Sequence, residues 1–211
     1  MSESTQTLVF PGSRAWWVLA AGLLTAFLAV SLMMLRPRFI SQQGVRLFKT
    51  GSHDRAAAVF QQARAAIPDF LSRSRLTAAD RFRLDFWHGR ALYRSGSAAW
   101  QDGRPTFQVY DRFLQSRQYL EQAAAVEPGD YLTAFSRART EHALERIHPW
   151  LFPDTPNPFN ADDLYRQATA LRPAGITVRQ AHARYLYETG QVDRIPGPVQ
   201  DLLAVYPPAF D

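Results

Sequence analysis

The side chains that could do chemistry are few and scattered. Five histidines, His53, His88, His142, His148 and His182, are the residues whose ordinary pKa lies near neutrality. His142 and His148 stand six apart, on different faces of any helix, so they do not form the paired ligands of a zinc-binding H-E-x-x-H. Glu145-Arg146-Ile147-His148 is a Glu-x-x-His, the half-motif with which helical bundles hold a di-iron centre. A complete centre needs a second such motif and two further glutamates, and the sequence offers neither. His148 therefore reads as a charge at the end of a helix that stops before Pro149. Glu141 and Glu145 share a helix surface and read as solvated. The phosphate-cradling patterns G-x-x-x-x-G-K-S/T and G-x-G-x-x-G are absent, and Ser95-Gly96-Ser97 has the wrong spacing for a G-x-S-x-G nucleophile elbow. With no cysteine, thiolate nucleophiles, thiolate metal sites and disulfides are all excluded. No catalytic residue, metal site or cofactor is expected.

Charge is the second source of functional residues. The chain of 211 residues has a net charge of +5, and every basic residue except Lys49 is an arginine. Seven arginines, at positions 64, 73, 75, 81, 83, 90 and 94, face only Asp69, Asp80 and Asp85 in the same stretch. That excess suits an ordinary arginine-rich surface, an acidic partner or anionic lipid. Nucleic acid is not expected, because no recognition motif or aromatic platform accompanies the charge.

The elements that carry these residues begin with an apolar run. Ala15–Leu35 is 21 residues without a charge, Pro, Asn, Gln or His. As a helix it spans about 31 Å, against a hydrocarbon core of roughly 30 Å. Its six Leu, two Val and one Phe favour insertion by about 3–5 kcal/mol together. Trp16 and Trp17 lie at one end, and Arg14, Arg36 and Arg38 bracket the run. A signal peptide would have a shorter apolar centre and a small-residue cleavage site, and a core helix would carry a polar stripe. The expected organisation is a tail over 1–14, a transmembrane helix over 15–35 and a helical domain over 36–211. The flanking charges leave the side of the membrane open.

Past the anchor, helical patterns end repeatedly at proline: Ala56–Ile67 before Pro68, Tyr110–Glu127 before Pro128, Ala161–Arg172 before Pro173 and Val199–Tyr206 before Pro207. Gly44, Leu47, Gly51, Ala56, Phe60, Ala63 and Pro68 recur in part as Ala183, Leu186, Gly190 and Pro207, and Gly51–Pro68 and Gly190–Pro207 are equally spaced. Between them, Trp87, Gly89, Leu92, Tyr93 and Gly96 form one first helix, followed by an insert near Ser97–Pro105. Tyr131–His148 forms another, followed by a stiff loop over Pro149–Pro158 and a helix that Asn160 caps. This pattern resembles the tetratricopeptide repeat (TPR) family, as a membrane-anchored bacterial TPR-like protein. The expected fold is all-α, a single transmembrane helix followed by a TPR-like α-solenoid of about four helix pairs.

The resemblance implies a groove lined by the first helix of each pair. Carried over position by position, it gives Arg83, Phe86, Arg90, Tyr93 and Arg94 from one unit and Thr177, Gln180, Arg184, Tyr187 and Glu188 from the last. Such a groove suits an acidic peptide or a C-terminal carboxylate. The last helix would leave Leu202, Leu203 and Tyr206 without a cover, a docking face for a partner or a second copy. The function implied is a membrane-tethered scaffold that mediates protein–protein interactions in a membrane or envelope complex, located in the bacterial inner membrane. The alternative is an accessory, non-catalytic subunit of a larger membrane assembly, its span packing through Trp16, Trp17, Gly22, Ala26 and Ala29.

Overall fold

The computed structural model describes residues 13–67, 75–101 and 105–196. They form seven helices: α1 (Ser13–Lys49), α2 (His53–Ala65), α3 (Arg75–Gln101), α4 (Phe107–Val126), α5 (Tyr131–Leu151), α6 (Asp162–Leu171) and α7 (Ile176–Glu188), with a 3-10 turn over Val192–Arg194. Each helix packs on the next along the chain, and α1 also meets α3, as α3 meets α5. No strand occurs among the described residues. The helix expected over 199–206, with Leu202, Leu203 and Tyr206, lies outside them.

Glycine and a large residue on the following helix set the inter-helix distance. A Cβ on Gly44 would stand 2.6 Å from the Phe60 ring, one on Gly89 2.6 Å from Leu120, and one on Gly96 2.9 Å from Phe113. Phe60, Leu120 and Phe113 are fully buried. The same closeness lets Ser116 Oγ on α4 donate to the Gly89 carbonyl of α3 at 2.8 Å while standing 3.2 Å from Thr140 Oγ1 on α5. Apolar layers follow the contacts in order: Ala56, Phe60, Leu84 and Leu92 between α1, α2 and α3; Val109, Phe113, Leu144 and Ile147 between α4 and α5; Tyr165, Tyr185 and Leu186 around α6 and α7.

Two helix ends are made alike. Gly51 N–H donates to Phe48 O and Ser52 N–H to Leu47 O; Gly190 N–H donates to Tyr187 O and Gln191 N–H to Leu186 O. Gly51 and Gly190 have φ of +82° and +74°, the left-handed conformation that glycine takes without a Cβ penalty. The matched glycines of the sequence are thus matched in backbone geometry.

Elsewhere the proline rule is too strict. Helix α1 does not stop at the end of the apolar run but continues through Pro37 to Lys49. The stretch after Gly96 is helix as far as Gln101, because Gly96 serves close packing against Phe113 and not a turn. Helix α5 runs through Pro149 to Leu151. Proline cannot donate to the carbonyl four residues back, and here Asn157 Nδ2 takes that Glu145 carbonyl at 2.6 Å. The loop after α5 folds back and replaces the lost bond. Helix α6 starts one residue later than expected, with Ala161 at the cap position, yet Asn160 Oδ1 still accepts the Asp162 N–H at 3.0 Å.

Two stability tests follow from this packing. Gly89→Ala gains about 1 kcal/mol of helix propensity but overpacks a filled site, so a net loss of about 1–2 kcal/mol is expected in denaturant unfolding. Gly129→Ala, with open space around its Cβ position, should stay within about 0.5 kcal/mol of the parent. Asn157→Ala should cost about 1 kcal/mol by orphaning the Glu145 carbonyl, and close to nothing once Pro149→Ala has restored the helical donor.

Candidate functional site

A single stripe recurs on three helices. Tyr93, Ser97 and Trp100 lie at i, i+4 and i+7 on α3; Phe135, Arg139, His142 and Arg146 at i, i+4, i+7 and i+11 on α5; Thr177, Ala181 and Arg184 at i, i+4 and i+7 on α7. At 3.6 residues per turn each set occupies one face. These faces converge on a cavity of about 870 Å³, to which Gln101, Pro105, Ala143, Trp150, Tyr165 and Gln180 also contribute. Among the described residues, no aspartate or glutamate lines it.

The cations of the cavity are held by rings. Arg139 stacks at 5.0 Å over Tyr93 and 5.9 Å over Phe135, and Arg146 at 5.1 Å over Trp100. Stacking on a π face does not itself use the N–H edge of a guanidinium, which can also take an in-plane partner. Arg184 is anchored differently, its Nε donating to Glu188 Oε1 at 2.7 Å. Glu188 Oε2 lies 3.0 Å from His142 Nε2 and 3.7 Å from Arg146 Nη1. Burial raises the Glu188 pKa, but His142 and Arg184 more than offset it and bring it down to about 2. Glu188 is therefore an anion beneath the floor, neutralising part of the charge. Arg139 pairs with no carboxylate among the described residues. Among the described residues, three arginines against one glutamate leave the site cationic.

Behind the cavity wall, α5, α6 and α7 are fastened by buried polar groups. The Tyr165 hydroxyl lies 3.4 Å from His142 Nδ1, and burial pushes that hydroxyl's pKa well up. The other ring nitrogen, Nε2, faces the Glu188 carboxylate, so the ring is held between a hydroxyl and an anion. Glu141 and Glu145, expected on a solvated face, are drawn inward. Glu141 is 6% exposed and 3.2 Å from Arg117 Nε. Glu145 accepts the Ala161 N–H at 3.1 Å and the Tyr185 hydroxyl at 3.3 Å. Burial raises the pKa of both carboxyls. Their positions face the chain that returns to α6, which is why sequence alone placed them in water. His148, in the last turn of α5 as expected, is buried with its ring nitrogens 3.3 Å from the Tyr110 hydroxyl and 3.2 Å from the Thr155 hydroxyl. No cluster of three His, Asp or Glu side chains suited to a metal ion occurs among the described residues.

Of the residues expected in a groove, Tyr93, Thr177, Gln180 and Arg184 line the cavity. Glu188 lies under it. Phe86 is buried, stacked on Phe82 and edge-on to Trp87. Arg90 packs over Phe48, Phe86 and Trp87 between α1 and α3, where burial lowers its pKa. Arg83, Arg94 and Tyr187 are exposed outside the cavity. The α5 residues were missed because that helix has no glycine to fix a repeat register, although the spacing from Phe135 through Arg146 is legible as a stripe. The chain matches no known family model, no characterised protein and no solved structure.

The carboxylate that ties α6 to α7 and the 3-10 turn gives a pH signature. Asp162 Oδ1 lies 2.9 Å from His182 Nε2, and Oδ2 accepts Arg194 Nη2 at 2.8 Å and also Arg166. Burial pushes its pKa up, but these three donors outweigh burial and depress it from 3.8 to about 2. A depressed carboxylate contributes stability that is present above the unfolded pKa and lost as pH falls through the folded one. Asp162→Asn should cost about 2 kcal/mol at pH 7, shrinking between about pH 4 and pH 2, as read from thermal melts.

Proposed function

We propose that this chain is a membrane-tethered, TPR-like scaffold whose α3–α5–α7 cavity holds an acidic segment of a partner protein. The observation that carries the reading is the cavity itself: arginine edges and aromatic walls with no carboxylate among the described lining residues. Its size lies within the usual range of roughly 300–1,000 Å³ for ligand pockets, so it suits a few extended residues and not a whole helix. Guanidinium forks bind carboxylates in the plane left open by stacking, and Tyr93, Phe135, Trp100 and Trp150 offer rings for the apolar parts of a peptide.

The TPR-like arrangement is supported by the order of contacts, the equivalent caps at Gly51 and Gly190, and the use of alternate helices to line one face. The tether is supported by α1. It is the one helix among the described residues long and apolar enough to cross a membrane, and none of its apolar window is buried against the rest of the chain. Its second half is the first helix of the domain, with Ile40, Val45, Leu47 and Phe48 packed on α2 and α3. Cleavage as a signal sequence would cut into a helix that the core uses. The chemistry of the cavity is that of recognition, with Tyr165 and His142 holding each other in its wall.

The test is a titration of the detergent-solubilised chain, using fluorescence of a labelled glutamate-rich octapeptide with a free C-terminus. Binding should weaken about tenfold or more in Arg139→Glu, consistent with loss of a charge-assisted contact of roughly 1.5–3 kcal/mol. A lysine-rich peptide should not bind, and added salt should weaken the acidic one. Equal affinity for both peptides, or no effect of Arg139→Glu, would remove this reading. A stoichiometric integral-membrane partner that co-purifies in mild detergent would instead favour the accessory-subunit alternative.

A further inference from the structure

The contacts between the first three helices fix how the domain stands relative to the apolar span. Arg38 Nε donates to Asp80 Oδ2 at 3.0 Å, and Arg90 lies 5.3 Å from the Phe48 ring. Both pairs join α1 to α3 at the same offset of 42 residues. Helices α1 and α3 therefore run in the same direction, residue i of α1 level with residue i + 42 of α3. On that register Arg75, the first residue of α3, is level with position 33, inside the apolar run. The pairing of Gly44 with Phe60 gives the antiparallel register of α1 and α2 and places Ile67 level with Pro37. The lower end of the three-helix unit thus reaches the level at which the span ends.

The side chains at that level are cationic. Arg36, Arg38, Phe39 and Arg83 lie about 2, 5, 6 and 9 Å beyond Leu35 at 1.5 Å per residue, Arg83 through its level partner Ser41. A headgroup layer extends roughly 5–8 Å past the hydrocarbon on each side, so all four can reach it. Arg36 and Arg83 are exposed and pair with no carboxylate among the described residues, and Phe39 is 74% exposed. Among the described residues, the aspartate at this end, Asp80, is taken by Arg38.

We propose that this end of the domain rests on the bilayer, with Arg36 and Arg83 taking anionic phospholipid headgroups and Phe39 lying at the interface. This rests on the reading of α1 as a retained span. It makes lipid composition, as well as the tether, a determinant of where the cavity sits. Arginine near an anionic surface is attracted within a Debye length of about 8 Å, comparable with the heights of these side chains above the span.

The absence of native cysteine makes the test direct. The full chain carrying Ala79→Cys, level with Pro37, is spin-labelled and placed in nanodiscs of phosphatidylcholine alone or of equal parts phosphatidylcholine and phosphatidylglycerol. Collision with an aqueous nickel complex should fall about twofold or more on adding phosphatidylglycerol. Arg36→Gln with Arg83→Gln should abolish that fall, and a label at Ala170→Cys on α6 should be equally wet in both discs. Failure of the chain to enter discs would overturn the anchor and this proposal together. Entry with an equally wet Ala79 label in both lipids would overturn the docking alone, and equal protection in both would overturn the recognition of anionic headgroups.

Discussion

The architecture depends on how closely consecutive helices approach. Where Gly44 faces Phe60, Gly89 faces Leu120 and Gly96 faces Phe113, a missing Cβ admits a bulky side chain to within contact of the opposing backbone. The polar bridge from the Gly89 carbonyl through Ser116 to Thr140 forms only at that separation. With α2, α4 and α6 seated between their neighbours, the faces of α3, α5 and α7 converge on one cavity. The site is a by-product of spacing: a wider pitch between α3 and α5 would part Arg139 from the Tyr93 ring that holds it.

Stacking gives several of the arginines a packing role. Arg64 lies over Tyr119, Arg90 over three rings, Arg117 over Phe159, Arg139 over Tyr93 and Arg172 over Tyr131. A planar, weakly hydrated cation can be half-buried against a ring and still present N–H groups outward, which a compact ammonium does less well. Part of the arginine excess of the sequence, which reads as surface charge, thus packs helices that carry many aromatics.

Much of the fold was legible where a local rule had nothing to compete with it. Gly51 and Gly190 end their helices because left-handed backbone is open to them, and the helices before Pro68, Pro128 and Pro173 stop within two residues of the expected point. The rule failed where tertiary contacts supplied a substitute. Asn157 replaces the donor that Pro149 lacks, and α1 carries Pro37 while its flanking residues pack against α2 and α3. The candidate site was half legible. Tyr93, Gln180 and Arg184 follow from the repeat register, but Arg139 and Arg146 sit on a helix whose small residues are Ala134 and Ala138, too common to mark a register. Glu141 and Glu145 were misplaced for a different reason, since only the returning loop, with Asn157 and Ala161, determines that they are covered.

The unbroken helix from Ser13 to Lys49 has a mechanical meaning. A glycine-rich linker lets a domain swivel freely, whereas a helix whose upper turns are locked into a hydrophobic core transmits torque. Rotating the lower part about its axis by one residue's step, about 100°, would swing the cavity around the same axis by the same angle. Any neighbour that packs on the apolar half would therefore set the compass bearing of the cavity in the plane of the membrane, and a shift of one residue in that packing would turn it to face another direction.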